Sequence, residues 1–302
     1  MLDDRLTEQR NPRSEAIDRR SSLEIVRIIN DEDRSVAEAV RSEAAAIAEA
    51  VDLAVASFRS GGRLIYVGAG TSGRLGVLDA TEMPPTYGTD PEMVQGVIAG
   101  GLKALVRSQE GAEDNPADGA VAMEEREVGP RDFVMGIATS GTTPYVHGAL
   151  ARARERGART GFLLCTPPGR ALRAEHDVVI APLTGPEVVT GSTRMKAGTA
   201  TKMVLNTLTT AAMIRLGKVD GNLMVDLQVT CEKLRDRGAR ILMATLGLGR
   251  ESATGLLGRA GGHVKTALVM HRLGLERNEA KEALERVHGV VAALAPADDR
   301  NG

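Results

Sequence analysis

Five short, continuous apolar runs are spaced along the first two thirds of the chain. They lie at residues 63–67, 93–99, 132–138, 160–165 and 177–182. Continuous apolar runs, rather than alternating ones, are typical of strands that are buried on both faces. Helical patterns separate most of these runs, so the sequence predicts βαβ units and a mainly parallel sheet flanked by helices.

Helical periodicity dominates the rest of the chain. An alanine-rich helix is predicted over residues 33–60 and ends at a pair of glycines, and a long helix is predicted over 197–218. After residue 238 the apolar runs cease, and short helical patterns punctuated by glycines take over. We therefore expect a polar, extended or short-helical arm at 1–32, an α/β domain at 33–238 and a small α-helical domain at 239–302.

Composition excludes several classes of protein. The 302 residues carry a net charge of −2 and include three Phe, three Tyr and no Trp, which disfavours nucleic-acid and membrane-surface binding. The two cysteines give no disulfide framework, which is typical of a reducing compartment. The charged first residues do not resemble a signal peptide, and no window is apolar enough for a membrane span. We expect a cytoplasmic protein without membrane or nucleic-acid partners.

The first apolar run leads into a glycine loop. Gly68, Gly70 and Gly73 have the spacing G-x-G-x-x-G, which in dinucleotide-binding folds surrounds a pyrophosphate. That fold also needs an acidic residue at the end of the next strand. Here the run at 93–99 ends in two glycines, and Glu82 comes too early. The fingerprint is incomplete, which disfavours a nicotinamide or flavin enzyme.

Two of the predicted strands are followed by loops that place hydroxyl groups beside a glycine. These residues are Thr71, Ser72 and Gly73 in the first loop and Ser140, Gly141, Thr142 and Thr143 in the second. Such loops meet at the carboxyl edge of a parallel sheet, where hydroxyls and helix N-termini bind anions. Simple helix caps are the alternative. The repetition after two buried strands favours a site for a small phosphate ester.

A third stretch, residues 190–198, precedes the long helix and adds polar groups. Ser192 and Thr193 offer hydroxyls, and Arg194 and Lys196 offer positive charge for a phosphate or carboxylate. A capped helix start with solvated basic residues explains the same pattern. Both interpretations remain open from the residues alone.

Carboxylates are the candidate catalytic groups. Glu82 follows the glycine loop and precedes Pro84-Pro85, a rigid turn that would suit a partly buried acid with a raised pKa. Glu110, Glu113 and Asp114 lie on a predicted turn before a helix. An isolated acid is normally solvated. The histidines and cysteines lack metal-ligand spacing, so we expect acid–base chemistry with no metal or cofactor.

Long motifs resemble one family. "GAGTSGRLGVLDATEMPPTYG", "EGAED", "SGTTPYV", "EVVTGSTRMKAGTATK" and "GNLMVD", with the opening "TEQRNPRSEAIDRR", are similar to the N-acetylmuramic acid 6-phosphate etherases. This family belongs to the sugar isomerase (SIS) superfamily. The resemblance implies a flavodoxin-like sheet that binds a phosphosugar, a homodimer, and a C-terminal domain like the ubiquitin-associated fold.

The resemblance also implies a reaction, the cleavage of the D-lactyl ether of N-acetylmuramic acid 6-phosphate by a carbon–oxygen lyase in cell-wall recycling. Glu82 matches the family's acid and Glu113 its second catalytic carboxylate, for which we expect the role of base. Met83 stands where relatives often have Cys. Two alternatives share the expected sheet and loops: an aldose–ketose isomerase, and a non-catalytic phosphosugar sensor similar to the glucokinase regulatory protein.

Overall fold

The fold is known from a computed structural model that describes residues 6–226, 232–287 and 289–294. Contacts divide the chain into two compact units. The first unit contains the residues up to Thr81 together with Pro91–Thr209. The second contains Glu82–Asp90 together with the residues from Thr210 onward. The sequence-based domain boundaries at residues 32 and 238 stay predictions.

A parallel five-stranded sheet forms the centre of the first unit, in the order β2-β1-β3-β4-β5. Its strands are β1 Leu64–Gly68, β2 Val94–Ile98, β3 Phe133–Ile137, β4 Arg159–Leu163 and β5 Val178–Ile180. Every residue of β1 and β3 is buried, as their continuous apolar sequences predict. The predicted strands and their parallel arrangement are confirmed.

Helices alternate with these strands along the chain. They are α1 Ser22–Asp33, α2 Val36–Arg41, α3 Ala44–Arg59, α4 Gly70–Tyr87, α5 Lys103–Val106, α6 Pro116–Glu125, α7 Pro144–Glu155, α8 Arg170–Glu175 and α9 Lys196–Arg215. The core on one side of the sheet is built mainly from small and branched residues, with Tyr145 and Phe162 as its aromatic members. None of the helices in the described part of the chain is long and apolar enough to cross a membrane.

One local prediction needs correction. The expected helix at 33–60 is divided, because α2 ends at Arg41 and α3 begins at Ala44. The polar arm contains three 3₁₀ turns and then the regular helix α1, which starts at a capping box between Ser21 and Glu24. The sequence S-x-x-E at this position is a known helix-start signal.

The second unit is helical, as the sequence predicts after residue 238. Its elements are the antiparallel pair β6 Val219–Asp220 and β7 Leu223–Met224, followed by α10 Glu232–Leu246, α11 Arg250–Arg259, α12 Val264–Leu273 and α13 Arg277–Arg286. Its apolar residues form a separate core around Leu242, Leu257 and Leu268. Cys231 lies outside the described residues, whereas Cys165 is buried as a free thiol in the first unit.

Close packing between β1 and α4 explains the glycine pattern. A Cβ at Gly68 would lie 2.8 Å from the backbone nitrogen of Gly73. A Cβ at Gly73 would lie 2.6 Å from Ile98 Cγ1 and 2.7 Å from the Gly68 carbonyl oxygen. Gly70 has open space around it but a φ of +52°. The three glycines therefore bring the first turn of α4 against the end of β1.

This packing predicts the effect of Gly73→Ala. The added methyl group overlaps a backbone oxygen that cannot move without shifting β1, so we expect a loss of about 2 kcal/mol in the free energy of unfolding. Gly258→Ala is the matched control, because Gly258 is also helical and has open space around its Cβ position. Alanine there should stabilise the protein slightly. Equal denaturation midpoints for the two variants would contradict the packing argument.

Candidate active site

A cavity of about 530 Å³ lies in the first unit, at the carboxyl edge of the sheet between β1 and β3. The chain continues in opposite directions along the sheet from these two strands, so their loops separate and leave a crevice. The cavity is lined by Glu8, Ala69, Gly70, Thr71, Ser72, Leu75, Glu113, Asp114, Ala138, Thr139, Ser140, Thr142, Thr143, Pro144, Thr193, Gly198 and Thr201. Hydroxyl groups and carboxylates are the prevailing polar groups in this lining.

The loop between β3 and α7 presents hydroxyls at a helix N-terminus. Ser140 Oγ and Thr142 Oγ1 lie 2.9 Å apart, and Gly141 between them has a φ of +76°. Thr143 is the N-cap residue of α7, but its side chain does not bond to the helix backbone. The ring of His147 donates a hydrogen bond of 2.8 Å from Nε2 to the Gly141 carbonyl oxygen, which holds the loop to the helix.

The loop between β1 and α4 supplies the facing wall. Gly70, Thr71 and Ser72 line the cavity in the first turn of α4, where backbone N–H groups have no partner within the helix. Ser72 is buried, whereas Thr71 is partly exposed. Gly73 lies behind this wall and shapes it through its contact with β1. Two helix N-termini therefore converge on one cavity, and this favours an anionic ligand.

The third predicted stretch contributes only in part. Thr193 and Gly198 line the cavity, but Ser192, Arg194 and Lys196 are outside its lining. Arg194 is exposed. Lys196 is 2% exposed, and its Nζ forms an ion pair of 2.6 Å with Glu32. The sequence left open a solvated or a binding role for these basic residues, and the structure places Lys196 in a third role, a buried internal ion pair.

This ion pair belongs to a polar cluster that joins the arm to α1 and α9. Asn11 donates hydrogen bonds to Glu32 at 2.7 Å and to the carbonyl oxygen of Pro186 at 3.2 Å. Burial opposes ionisation of Glu32, but the hydrogen bonds from Lys196 and Asn11 outweigh it and lower its pKa. Glu187 accepts the N–H groups of Lys196 and Ala197, both at 2.9 Å, and so caps α9. Burial raises the pKa of Glu187.

Three carboxylates line the cavity. Glu113 and Asp114 come from the predicted turn before α6, and the backbone carbonyl of Glu113 accepts the N–H of Tyr145 at 3.0 Å. That bond ties the turn to the first residues of α7. Glu8 comes from the N-terminal arm, and sequence reasoning assigned it no role. Its only sequence signal is the opening motif "TEQRNP", which resembles the etherase family but does not indicate a chemical role.

Glu82 has a different position. It is exposed on α4, twelve residues after Gly70, and does not line the cavity. The rigid turn expected at Pro84-Pro85 is not formed, because α4 continues through both prolines to Tyr87. Glu82 belongs to the second unit, whereas Glu113 and the cavity belong to the first.

The strand order and the hydroxyl-lined cavity define a doubly wound α/β protein with a ligand crevice at the switch point of its sheet. The family model of the glucokinase regulatory protein N-terminal SIS domain matches residues 46–154. A solved phosphoheptose isomerase from Francisella tularensis is 16% identical, with a TM-score of 0.48 over 65% of this chain and 100% of that chain.

Curated relatives identify the family within this class. The N-acetylmuramic acid 6-phosphate etherase of Salinibacter ruber is 53% identical over 298 residues, which cover 99% of this chain and 96% of that protein. The etherase of Synechococcus elongatus is 53% identical over 292 residues, with coverages of 97% and 95%. The chain belongs to the N-acetylmuramic acid 6-phosphate etherase family.

The position of Lys196 predicts that its loss affects stability before binding. Lys196→Met leaves Glu32 buried without its cation, so we expect the free energy of unfolding to fall by about 3–5 kcal/mol at pH 7. The difference from wild type should begin to shrink as the pH falls below 4.5, the ordinary pKa of a glutamate in the unfolded chain. It should disappear as the pH falls through the lowered pKa of folded Glu32, because protonation removes the ion pair.

Arg194→Gln is the control for this prediction, since Arg194 is exposed and should change stability by less than about 0.5 kcal/mol. Urea denaturation at several pH values measures both variants. An unchanged midpoint for Lys196→Met, with weaker phosphosugar binding, would mean that Lys196 acts on the ligand instead.

Proposed function

We propose that this protein cleaves the lactyl ether of N-acetylmuramic acid 6-phosphate and releases N-acetylglucosamine 6-phosphate and D-lactate. Membership of the etherase family, at 53% identity over nearly the whole chain, is the observation that carries this proposal. The cavity supports it, because one crevice combines an anion site at two helix N-termini with carboxylates. The cytoplasmic location and the absence of a metal or cofactor stay predictions.

The sugar phosphate would bind to neutral donors. Ser140, Thr142 and Thr143 surround the N-terminus of α7, and Thr71 and Ser72 face them from α4. Within the described lining of this cavity, lysine and arginine are absent. Backbone N–H groups and hydroxyls would therefore hold the phosphate, as they do at other helix N-termini. Anchoring the phosphate lets binding energy orient the reacting carbons of the sugar.

The chemistry needs one base and one acid. Opening of the sugar ring exposes an aldehyde at C1, which makes the hydrogen at C2 acidic. Glu113 takes this proton, and the electron pair forms a C2–C3 double bond as the C3–oxygen bond breaks. A protonated Glu82 gives its proton to the departing lactate oxygen. Water then adds its hydroxyl at C3, and a proton returns to C2.

The exposure of Glu82 supports a homodimer with shared sites. Glu82 is exposed on α4 and is not among the residues that line the cavity of its own chain. We therefore propose that the exposed Glu82 of one chain reaches the cavity of a second copy, and that each site uses Glu113 from one chain and Glu82 from the other.

The direct test of function is the release of free D-lactate from N-acetylmuramic acid 6-phosphate. Wild type should release it, and Glu113→Gln should lose at least about a hundredfold in turnover, because a base contributes 10²–10⁴-fold. In heavy water, Glu113→Gln should also stop exchange of the C2 hydrogen, whereas Glu82→Gln should retain it. Full exchange in Glu113→Gln would remove Glu113 as the base.

The same assay separates the two alternatives. An aldose–ketose isomerase would convert the phosphosugar without releasing lactate, and a sensor would bind it without any conversion. Detectable binding of N-acetylmuramic acid 6-phosphate with no lactate release would overturn the etherase proposal.

Mixed dimers test the shared site. Glu82→Gln and Glu113→Gln chains should be inactive separately, but unfolding and refolding them together should restore about a quarter of wild-type activity. Half of the refolded dimers would then be mixed, and each mixed dimer would have one intact site out of two. Mixing inactive Glu113→Gln with a Glu82→Gln/Glu113→Gln double variant is the control and should restore nothing. No recovery in the first mixture would contradict the shared site.

A further inference from the structure

A second cavity of about 330 Å³ lies on the other side of the Glu113 turn, toward β2. It shares Ala69, Gly70 and Glu113 with the first cavity, so the two spaces have a common wall. The remaining lining residues are Arg74, Ala99, Ala104, Ser108, Gln109, Glu110, Gly111 and Ala112. A ligand bound in the first cavity therefore has a neighbouring space directly beyond the proposed base.

Arg74 is the basic residue of this second cavity. It lies in the first turns of α4, is partly buried, and donates a hydrogen bond of 3.1 Å from Nε to the carbonyl oxygen of Leu105. This bond fixes the plane of the guanidinium group. Among the described residues, no carboxylate lies within ion-pair distance of Arg74, in contrast to Arg63, which pairs with Asp132 at 2.8 Å. The outer nitrogens of Arg74 are thus available to an anion.

The two cavities differ in their charged residues, because only the second contains a basic side chain in its described lining. Glu8, Glu113 and Asp114 are the charged residues of the first cavity. The second cavity contains Glu110 and Glu113 together with Arg74, the one basic residue in the described linings of both. An N-acetylmuramic acid 6-phosphate molecule carries two anionic groups, the phosphate and the lactyl carboxylate. The phosphate can bind to neutral donors at the helix N-termini, but the lactyl carboxylate needs a donor elsewhere.

We propose that Arg74 binds the carboxylate of the lactyl group in the second cavity. A guanidinium group matches a carboxylate with two parallel hydrogen bonds, and such charge-assisted bonds are among the stronger ones in proteins. The sugar would then span the common wall, with its phosphate in the first cavity and its C2 and C3 atoms beside Glu113. This inference rests on the proposed function. It makes Arg74 the residue that determines selectivity for N-acetylmuramic acid 6-phosphate over N-acetylglucosamine 6-phosphate.

Glu113 lies in the common wall of the two cavities, so its charge affects both of them. Once Glu113 has taken the C2 proton it is neutral, which removes one negative charge from the space beside the departing lactate. Glu110 acts against binding, because a second carboxylate in the same cavity repels the lactyl anion. Arg74 would thus hold the lactyl group during cleavage, while Glu110 limits the affinity of the cavity for this anion throughout.

The test compares two phosphosugars that differ in the lactyl group. Arg74→Gln should raise the KM for N-acetylmuramic acid 6-phosphate at least about tenfold, as expected for the loss of a charged hydrogen bond. Its Kd for N-acetylglucosamine 6-phosphate, measured by calorimetry, should stay within about twofold of wild type. Arg107→Gln is the charge-matched control, because Arg107 is exposed just after α5 and lines neither cavity, and it should change neither value.

Ser108→Asp provides a second variant that leaves Arg74 and its bond to Leu105 intact. Ser108 is exposed and lines the second cavity, so a carboxylate there should repel the lactyl group and raise the same KM, again without weakening N-acetylglucosamine 6-phosphate. Equal weakening of both phosphosugars in Arg74→Gln would assign Arg74 a purely structural role. No change for either ligand in both variants would also overturn the subsite.

Failure of the proposed function has a different signature. If wild type releases no lactate, the intact N-acetylmuramic acid 6-phosphate can be titrated directly, and the subsite still predicts that Arg74→Gln weakens it selectively. Selective weakening without lactate release would therefore retain the subsite and overturn the etherase. Lactate release with no selective weakening would retain the etherase and overturn the subsite.

Discussion

The reversal of strand order between β1 and β3 is the constraint on which the site depends. Chain connections leave these two neighbouring strands in opposite directions, so the loops after them cannot pack against each other. The crevice between them is flanked by the N-termini of α4 and α7, both of which carry unpaired N–H groups. An anion in this crevice interacts with two helix dipoles at once, and basic side chains are not needed to hold it there.

Buried polar contacts maintain one wall of this crevice. The ion pair between Lys196 and Glu32, together with Asn11, fastens the N-terminal arm to the start of α9. Glu8 of the arm lines the cavity, and so do Gly198 and Thr201 of α9. A buried ion pair adds little net stability compared with apolar packing, but breaking it is costly. The ion pair fixes the position of the N-terminal arm, which local helix propensity alone would not determine.

The sheet and its hydroxyl loops could be predicted from the sequence because their signals are local. Buried parallel strands leave continuous apolar runs, and the loops after them contain hydroxyls beside glycine. The orientation of Lys196 could not be predicted, since its partner Glu32 lies 164 residues away along the chain. Glu8 and Arg74 were missed for a related reason: each is an ordinary charged residue until the fold places it in a cavity wall.

Glu82 shows a different limit. The sequence around it predicts a rigid turn at Pro84-Pro85, but α4 accommodates both prolines and continues to Tyr87. A proline pair normally ends a helix, so this local signal did not give the conformation around Glu82.

The central claim is that the phosphate binds where the two helix N-termini meet and that the sugar extends from there toward Glu113. A crystal structure of the protein with N-acetylglucosamine 6-phosphate tests this most directly. We expect the phosphate oxygens within hydrogen-bond distance of Ser140 and Thr143, with C2 of the sugar facing Glu113. A phosphate bound at Arg194, or a sugar directed away from Glu113, would contradict the account.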